Sequence, residues 1–181
     1  MSEQSTPAAL PVLLRDGSLA GSWTLDGARS EIGLKSKSMW GMASVKGVFR
    51  DVTGSGTVSA AGDVAGTITV AAASVDTKNK KRDEHLRSAD FFDVARTPDI
   101  TFTAERVTPS GDGVTVTGTL TVRDRTHPVS FAARVSGFDG TQVVLDGEFQ
   151  VNRADFGLTW NQLGMSSMHN TITVHAVFAR Q

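Results

Sequence analysis

The feature that most constrains this chain is an alternation of apolar and polar residues with period two, which runs from about residue 22 to the C-terminus. The segment GVTVTGTLTVR, for example, places Val114, Val116, Leu120 and Val122 on one side and threonines on the other. Successive side chains of a β-strand point to opposite faces of a sheet. Each such segment therefore predicts a strand with one apolar and one solvated face.

Clusters of turn-forming residues separate the alternating segments: SAAGD, SGDG, RDRTHP and FDGTQ. Such short connections favour antiparallel neighbours. About eight antiparallel strands in one chain must close into a barrel or pack as a sandwich, because open sheet edges invite aggregation. Long strands in simple up-and-down order favour the barrel.

The composition is typical of one soluble globular domain. The 181 residues are enough for one domain with a substantial core and too few for two comfortable ones. A net charge of −1 provides no basic field that would attract nucleic acid or an anionic membrane surface. The sequence contains no cysteine, which excludes disulfides and thiolate metal sites and fits a reducing compartment.

We place the barrel domain at residues 21–181 and an N-terminal tail at residues 1–20. The tail has no Lys or Arg before its apolar patch, and Pro11 breaks that patch. A secretory signal needs a positive start and a longer apolar core, so we expect a cytoplasmic protein. No apolar run approaches the ~20 residues of a membrane-spanning helix. The first 20 residues are therefore either a mobile tail or a strap that lies on the domain.

The size of the inward residues decides whether an eight-stranded barrel is filled by side chains or holds a ligand. Many inward positions carry small residues, which would leave room for a ligand: Gly33 or Gly47, Gly66, Ala72, Ala104, Gly118, Ala133, Gly147 and Ala176. The alternative is that these residues only let the sheet coil tightly at its corners.

The segment SVDTKNKKRDEHLRSADFFDV, residues 74–94, interrupts the strands with a charged, helix-like sequence. Thr77 or Asn79 can cap a helix that begins just after them, and acidic residues in its first turn suit the helix dipole. A short helix followed by Phe91 and Phe92 predicts a cap: the rings pack onto one end of the barrel and the charges stay in water. The cap either plugs that end or gates it.

This segment and four others resemble the YceI-like family of lipid-binding β-barrels. The sequence SVDTKNKKRDEHLRSADFFDVARTPDITF is similar to the family signature. Four further stretches are similar to other parts of the family pattern: WTLDGARSEIGLKSK, MWGMASVKGVF, GTLTVRDRTHPVSF and VNRADFGL. The resemblance covers about residues 22–180, and several motifs in the family order make it specific.

The resemblance implies an all-β fold, an extended eight-stranded antiparallel lipocalin-like barrel with a short helical insert near residues 80–90. It also implies that the barrel binds, stores or transports a long isoprenoid-type lipid, such as a polyprenyl pyrophosphate or a quinone tail. Neither catalysis nor a cofactor is expected. We further expect a homodimer, because barrels of this type often pair through exposed strand faces.

The apolar side of the alternation and the aromatic residues supply the expected contacts with such a lipid: Ile32, Leu34, Phe49, Ile68, Val70, Phe91, Phe92, Phe102, Leu120, Phe131, Phe149, Trp160 and Phe178. Arg82, His85 and Arg87 are the candidate headgroup contacts at the barrel mouth. Local salt bridges between these three residues and nearby carboxylates are the alternative.

Histidine and methionine form no metal-binding motif in the sequence. The four histidines show no ligand spacing: His85, His127, His169 and His175. His127 is expected in a turn, and His175 on the outward side of a strand. Four methionines fall in predicted loops at strand ends: Met39, Met42, Met165 and Met168. With Trp40 and Trp160 they suit an adaptable apolar portal, and a soft-metal site that includes His169 is the alternative.

The sequence offers little for catalysis, since it has no Cys, Tyr, GxSxG, HExxH or P-loop. The carboxylates of Asp83, Glu84, Asp90 and Asp93 are expected in a wet loop beside basic residues, which does not suit a catalytic acid. Two functions besides a lipid carrier stay open. One is a barrel-pocket enzyme that acts on an apolar substrate, and the other is a stress-response interaction module with a solid barrel.

Overall fold

The computed structural model describes residues 9–38, 41–161 and 167–181. Within these residues eleven strands form one antiparallel sheet: β1 (Gly21–Leu25), β2 (Glu31–Ser38), β3 (Ala43–Phe49), β4 (Val52–Val58), β5 (Val64–Ala71), β6 (Val75–Asp76), β7 (Asp99–Ser110), β8 (Gly113–Val122), β9 (Arg125–Phe138), β10 (Gln142–Asn152) and β11 (His169–Arg180). Two α-helices accompany the sheet, α1 (Leu10–Arg15) and α2 (Lys80–Arg87), together with 3-10 helices at Ala72–Ser74 and Arg153–Phe156.

The sheet closes on itself because β1 pairs with both β4 and β11. The closed ring runs in the order β1, β4, β5, β7, β8, β9, β10 and β11, which confirms the predicted eight-stranded antiparallel barrel. The long strand β11 pairs with β1 through residues 178–180 and with β2 through residues 170–175. Closure removes the free edges that an open sheet would expose.

Three strands of the ring contain short breaks. β1 continues into β2, β3 into β4, and β5 into β6 through the 3-10 helix Ala72–Ser74. In the described part of the chain β6 pairs with β3 and β7 pairs with β5 and β8, so no ladder joins β6 to β7. The chain between β6 and β7 carries α2, which is the predicted helical insert.

The apolar faces of the strands form two clusters inside the barrel. The larger cluster includes Phe49, Phe92, Leu120 and Phe156, and lies toward α2. The smaller cluster is built around the other end, under α1: Leu10, Leu13, Leu14, Leu19, Trp23, Val114, Ala133 and Val143. The alternation seen in the sequence thus delivers one continuous apolar interior that two helices border at opposite ends.

Residues 9–20 lie on the barrel, so the strap interpretation describes this part of the chain. Pro11 lies in the first turn of α1, where its missing N–H removes no helix hydrogen bond. The helix buries Leu10, Leu13 and Leu14 against the smaller core cluster. Just after the helix, the carbonyl of Leu19 accepts a hydrogen bond of 2.8 Å from the indole Nε1 of buried Trp23.

Arg180, at the end of β11, ties the strap to the strands that close the barrel. Its guanidinium donates to the carbonyl oxygens of Ser18 at 2.5 Å and Ala20 at 2.6 Å. It also donates to the carbonyl of Gly140 at 3.1 Å and lies 4.4 Å from the centre of the Trp23 ring. The guanidinium of Arg180 therefore connects the strap, β1 and β11.

The turn before β9 is shorter than the sequence predicts, so the expectation that His127 lies in a turn is wrong. The turn contains only Arg123 and Asp124, with Arg123 at a φ of 58°. His127 and Pro128 lie inside β9. The described ladder between β9 and β10 begins only at Ala132, so Pro128 lacks a partner strand on that side and its missing N–H costs little.

Two neighbouring residues of α1 test whether the strap stabilises the barrel. Leu13 is 3% exposed and Val12 is 44% exposed. We expect Leu13→Ala to lower the free energy of unfolding by about 2 kcal/mol or more, the usual cost of a buried Leu-to-Ala change. Val12→Ala is the matched control and should stay within about 0.5 kcal/mol of wild type. Urea denaturation measures both, and equal values would contradict a stabilising strap.

Candidate ligand cavity

The barrel encloses an apolar cavity of about 590 Å³ toward the α2 end. Twelve of the thirteen side chains predicted to contact a ligand line this cavity: Ile32, Leu34, Phe49, Ile68, Val70, Phe91, Phe92, Phe102, Leu120, Phe131, Phe149 and Trp160. The period-two pattern brings the strand residues among them to the inner face. Contact with a ligand stays a prediction for all twelve.

Phe178, the thirteenth residue, lines a second and smaller cavity of about 160 Å³ under α1. The two cavities share Ile68, Phe102, Phe131 and Val174 as lining residues. Between them the ring of Phe131 stacks on Phe149 at a centroid distance of 4.9 Å and lies 5.6 Å from Phe102. These three aromatic rings form a divider across the barrel interior.

The small inward residues border the smaller cavity and not the larger one. Gly66, Ala104, Ala133, Gly147 and Ala176 line the space under α1. A Cβ on Gly147 would lie 2.9 Å from the Phe131 ring, so this glycine lets the ring lie flat against the sheet. These small residues thus accompany the smaller cavity, where large side chains of the divider and α1 occupy much of the room that they leave, whereas Ala72 and Gly118 line neither cavity.

Polar side chains gather at the α2 end of the larger cavity: Ser36, Ser38, Thr77, Asn79, Lys81, Arg82, His85, Arg153 and Asn170. Asn79 and Lys81 are exposed and Trp160 is 39% exposed, so the cavity reaches the surface at this end. The lining residues in the described ranges include Lys81, Arg82 and Arg153 but no Asp or Glu. The charged side chains that line this end are therefore cationic.

Aromatic rings border this opening, where the sequence predicts that Phe91 and Phe92 form a cap. Phe92 is 9% exposed and meets Phe49 edge-on at 5.8 Å inside the barrel. Phe91 packs against Trp160 at 5.6 Å and against the ring of His85 at 5.1 Å. One phenylalanine thus fills the core and the other joins a surface cluster, which permits either a plug or a gate.

Helix α2 is fixed over the opening by hydrogen bonds from its first turn. Asn79 caps the helix, with its side-chain oxygen accepting from the Arg82 N–H at 3.1 Å. A carboxylate oxygen of Asp83 accepts from Thr77 N at 3.0 Å and from Thr77 Oγ1 at 2.5 Å. Arg82 donates to Thr77 Oγ1 at 2.8 Å and to the Thr77 carbonyl at 2.7 Å.

The expectation that all four carboxylates of the insert are wet is wrong for Asp83 and Asp93. Asp83 is 7% exposed and Asp93 is 8% exposed. Asp83 is buried because it accepts the two donors of Thr77, and Asp93 because the turn after α2 folds around it with a φ of 49°. Both carboxylates stabilise the insert locally, and neither lines the cavity among the described residues.

The candidate headgroup residues separate in the structure. Arg82 and His85 line the cavity, and His85 Nε2 lies 2.8 Å from Asp90 Oδ2. Arg87 points elsewhere, since its Nε donates to the carbonyl of Ala73 at 3.0 Å and the residue does not line either cavity. His85 thus has the local contact with a carboxylate that the sequence analysis gave as the alternative to a headgroup contact. Arg82 and Arg87 instead donate to backbone carbonyls.

Two polar residues of the cavity, Arg153 and Asn170, were not singled out by the sequence analysis. Arg153 is 5% exposed, and both Arg153 and Asn170 line the cavity. Burial lowers the pKa of the Arg153 guanidinium below its usual value. Position 153 continues the inward series of Phe149 and Val151 with period two, so the alternation, followed two residues further, could have placed this side chain on the inner side. The strand itself ends at Asn152, and Arg153 begins a 3-10 helix.

Among the described residues no three His, Asp or Glu side chains cluster as metal ligands. His175 lies on the exposed face of β11, as predicted, with Nδ1 2.7 Å from Asp146 Oδ1. Met42 is 86% exposed, and Met168 contributes its carbonyl to the Arg153 N–H. Met39, Trp40 and Met165 lie outside the described residues, so the portal interpretation stays a prediction.

No helix among the described residues is long and apolar enough to cross a lipid bilayer.

Comparison with known proteins gives consistent matches over this same barrel. Residues 23–179 match the family model described as YceI-like domain. Protein YceI of Salmonella arizonae is 34% identical over 134 residues, which are 70% of this chain and 70% of the Salmonella protein. BcnA of Burkholderia cenocepacia has a TM-score of 0.77 at 23% identity, over 84% of this chain and 98% of BcnA.

A second solved structure is a Saccharophagus degradans domain described as a polyisoprenoid binding domain implicated in plant cell wall breakdown. Its TM-score is 0.71 at 16% identity, over 88% of this chain and 98% of that domain. At such low sequence identity, BcnA and the Saccharophagus domain show that the barrel fold is shared.

The Asp83 contacts predict that α2 is anchored by one carboxylate. We expect Asp83→Ala to lower the free energy of unfolding by about 2 kcal/mol, because it leaves the buried donors of Thr77 without an acceptor. Glu84 is the neighbouring exposed carboxylate, and Glu84→Ala should change the stability by less than about 0.5 kcal/mol. Thermal and urea unfolding measure both variants. An Asp83→Ala protein as stable as Glu84→Ala would show that the network does not hold the helix.

Proposed function

Because the chain belongs to the YceI-like family, we propose that its barrel binds, stores or transports a long isoprenoid-type lipid without catalysing a reaction. A polyprenyl pyrophosphate and a quinone with a polyprenyl tail are the two ligand types that we consider. The observation that carries the proposal is the apolar cavity of about 590 Å³, which lies within the size range of ligand pockets in proteins. The description of the Saccharophagus domain as polyisoprenoid binding supports the same ligand class.

The physical chemistry of burial is sufficient for such binding. Each buried methylene contributes about 0.8 kcal/mol, so one five-carbon isoprene unit contributes up to ~4 kcal/mol. Association costs at least ~4 kcal/mol in lost translational and rotational freedom. Three buried units therefore reach the roughly 8 kcal/mol that corresponds to micromolar affinity. No metal ion or cofactor is needed for this affinity.

The geometry favours a binding protein over the two alternative functions. A barrel filled by its own side chains, as the solid interaction module requires, does not agree with the cavity. An enzyme acting on an apolar substrate would need a reactive group that faces the substrate, such as a carboxylate with a perturbed pKa. The described lining offers cations, amides, hydroxyls and His85 but no carboxylate, and His85 Nε2 is already engaged with Asp90 at 2.8 Å. A cytoplasmic location and a homodimer stay predictions of the sequence.

A matched pair of tryptophan substitutions on β10 tests the proposal. Val151 lines the cavity, whereas its neighbour Gln150 is exposed on the outer face. We expect Val151→Trp to weaken the binding of geranylgeraniol at least tenfold, because the indole displaces part of the buried chain. Gln150→Trp should bind as wild type does. Isothermal titration calorimetry on protein stripped of lipid measures both affinities.

Farnesol, which is one isoprene unit shorter, provides the second comparison in this experiment. Wild type should bind geranylgeraniol more tightly than farnesol, since a longer chain buries more apolar area. The proposal fails if wild type binds neither alcohol, or if the two tryptophan variants bind them equally well.

A further inference from the structure

Arg153 is a buried cation with two N–H groups that have no partner in the described part of the chain. Its Nε donates to the carbonyl of Ser167 at 3.1 Å, and its Nη1 donates to the carbonyls of Leu158 at 3.0 Å and Trp160 at 2.8 Å. Nη2 is buried and has no hydrogen-bond partner among the described residues. A guanidinium carries five N–H donors, so three are bonded and the two on Nη2 are not.

An unpaired charged donor in an apolar interior is costly, and such groups in native proteins call for an explanation. Arg153 stays protonated at neutral pH because the arginine pKa lies far above 7 even when burial lowers it. The three bonded carbonyls fix the guanidinium in one orientation but carry no full negative charge. No Asp or Glu lines the cavity in the described ranges, so the chain itself supplies no counter-ion there.

A second buried polar atom without a hydrogen-bond partner in the described residues lies near Arg153. Asn170 lines the same cavity, and its buried Oδ1 also lacks a partner among the described residues. The pairing of β10 with β11 places Asn170 opposite Val151, and the Arg153 N–H bonds to the carbonyl of Met168, so both side chains start from the same corner of the barrel. The Phe91 ring lies 5.6 Å from the guanidinium carbon, and Lys81 and Arg82 line the same cavity nearer the surface.

We propose that Arg153 is the headgroup anchor of the cavity, binding an anionic oxygen, a carboxylate or a phosphate, at the end of the hydrocarbon chain. This inference rests on the proposed function and names the ligand class for the same cavity. Charge-assisted bonds from Nη2 to such an oxygen are stronger than bonds to a neutral carbonyl. Rotation of the Asn170 amide presents its NH₂ group to the same anion. The headgroup is thus held inside the opening, and the chain runs from it toward the aromatic divider.

Three probes with the same hydrocarbon chain test the anchor: geranylgeranyl pyrophosphate, geranylgeranoic acid and geranylgeraniol. Isothermal titration calorimetry on the full-length, lipid-stripped chain at constant pH and salt compares their affinities. We expect wild type to bind at least one of the two anions tenfold or more tightly than the alcohol. A preference for one anion over the other identifies the headgroup as phosphate or carboxylate.

The variant Asn170→Asp tests the position of the anion. The new carboxylate lies in the same corner as Arg153 and competes with the ligand's anion, so the ratio of anion affinity to alcohol affinity should fall to about one. Thr173→Asp is the matched control, because it adds the same charge to the exposed face of the same strand and should keep the ratio. Arg153→Gln should also lower the ratio of anion affinity to alcohol affinity to about one. A thermal melt checks that this variant is folded.

The outcomes separate this inference from the proposed function. If wild type binds the alcohol as tightly as both anions, or if Asn170→Asp keeps the wild-type ratio, the anchor is wrong and the lipid-binding proposal stands. If wild type binds none of the three probes, the proposed function itself fails and the anchor with it.

Discussion

The closure of the sheet between β1 and β11 is the constraint on which the other features depend. Once β1 pairs with β4 on one side and β11 on the other, the apolar side chains of the ring strands share one interior. Because the closed sheet has no open edge beside this interior, the space must be filled by the protein's own side chains or by a ligand. The ends of the cylinder are then the only routes to the inside, and one helix lies at each end. Arg180 couples closure to the α1 end, because it contacts the strap and the Trp23 ring together.

Side chains fill the two halves of the interior to different extents. Under α1, small strand residues are compensated by Trp23, Phe178, the leucines of the strap and the ring of Phe131, which leaves about 160 Å³. Toward α2, the strand residues are large, and about 590 Å³ stays open. Helix α2 covers this end, and its Leu86 packs against the core cluster there. A hydrocarbon chain is the chemistry that matches such a space, and Arg153 is the one buried charge that the described chain leaves without an anionic partner there.

The sequence was sufficient for the fold and for most of the cavity wall. Period-two alternation predicts which side of the sheet a residue such as Ile172 occupies, because successive side chains of a strand point to opposite faces. This prediction needs no knowledge of the neighbouring strands. The location of the hollow could not be predicted in this way, because cavity volume depends on which side chains cross the axis. The position of the Phe131 ring depends on Gly147 of the adjacent strand, where a Cβ would lie 2.9 Å from the ring, and this contact follows from the strand register and not from the sequence pattern. The inward position of Arg153 follows from the same period, since it continues the series of Phe149 and Val151, but its unpaired Nη2 depends on backbone carbonyls that only the folded structure brings to it.

The central claim is that the α2 end of this barrel holds a hydrocarbon chain with a polar end. A high-resolution crystal structure of the protein purified without any lipid extraction tests it most directly. The account predicts continuous, tail-shaped electron density that starts near Arg153 and runs along the inner faces of Ile172 and Leu120 to the aromatic divider. A barrel whose interior is closed by its own side chains, or one that holds only discrete water peaks, would contradict it.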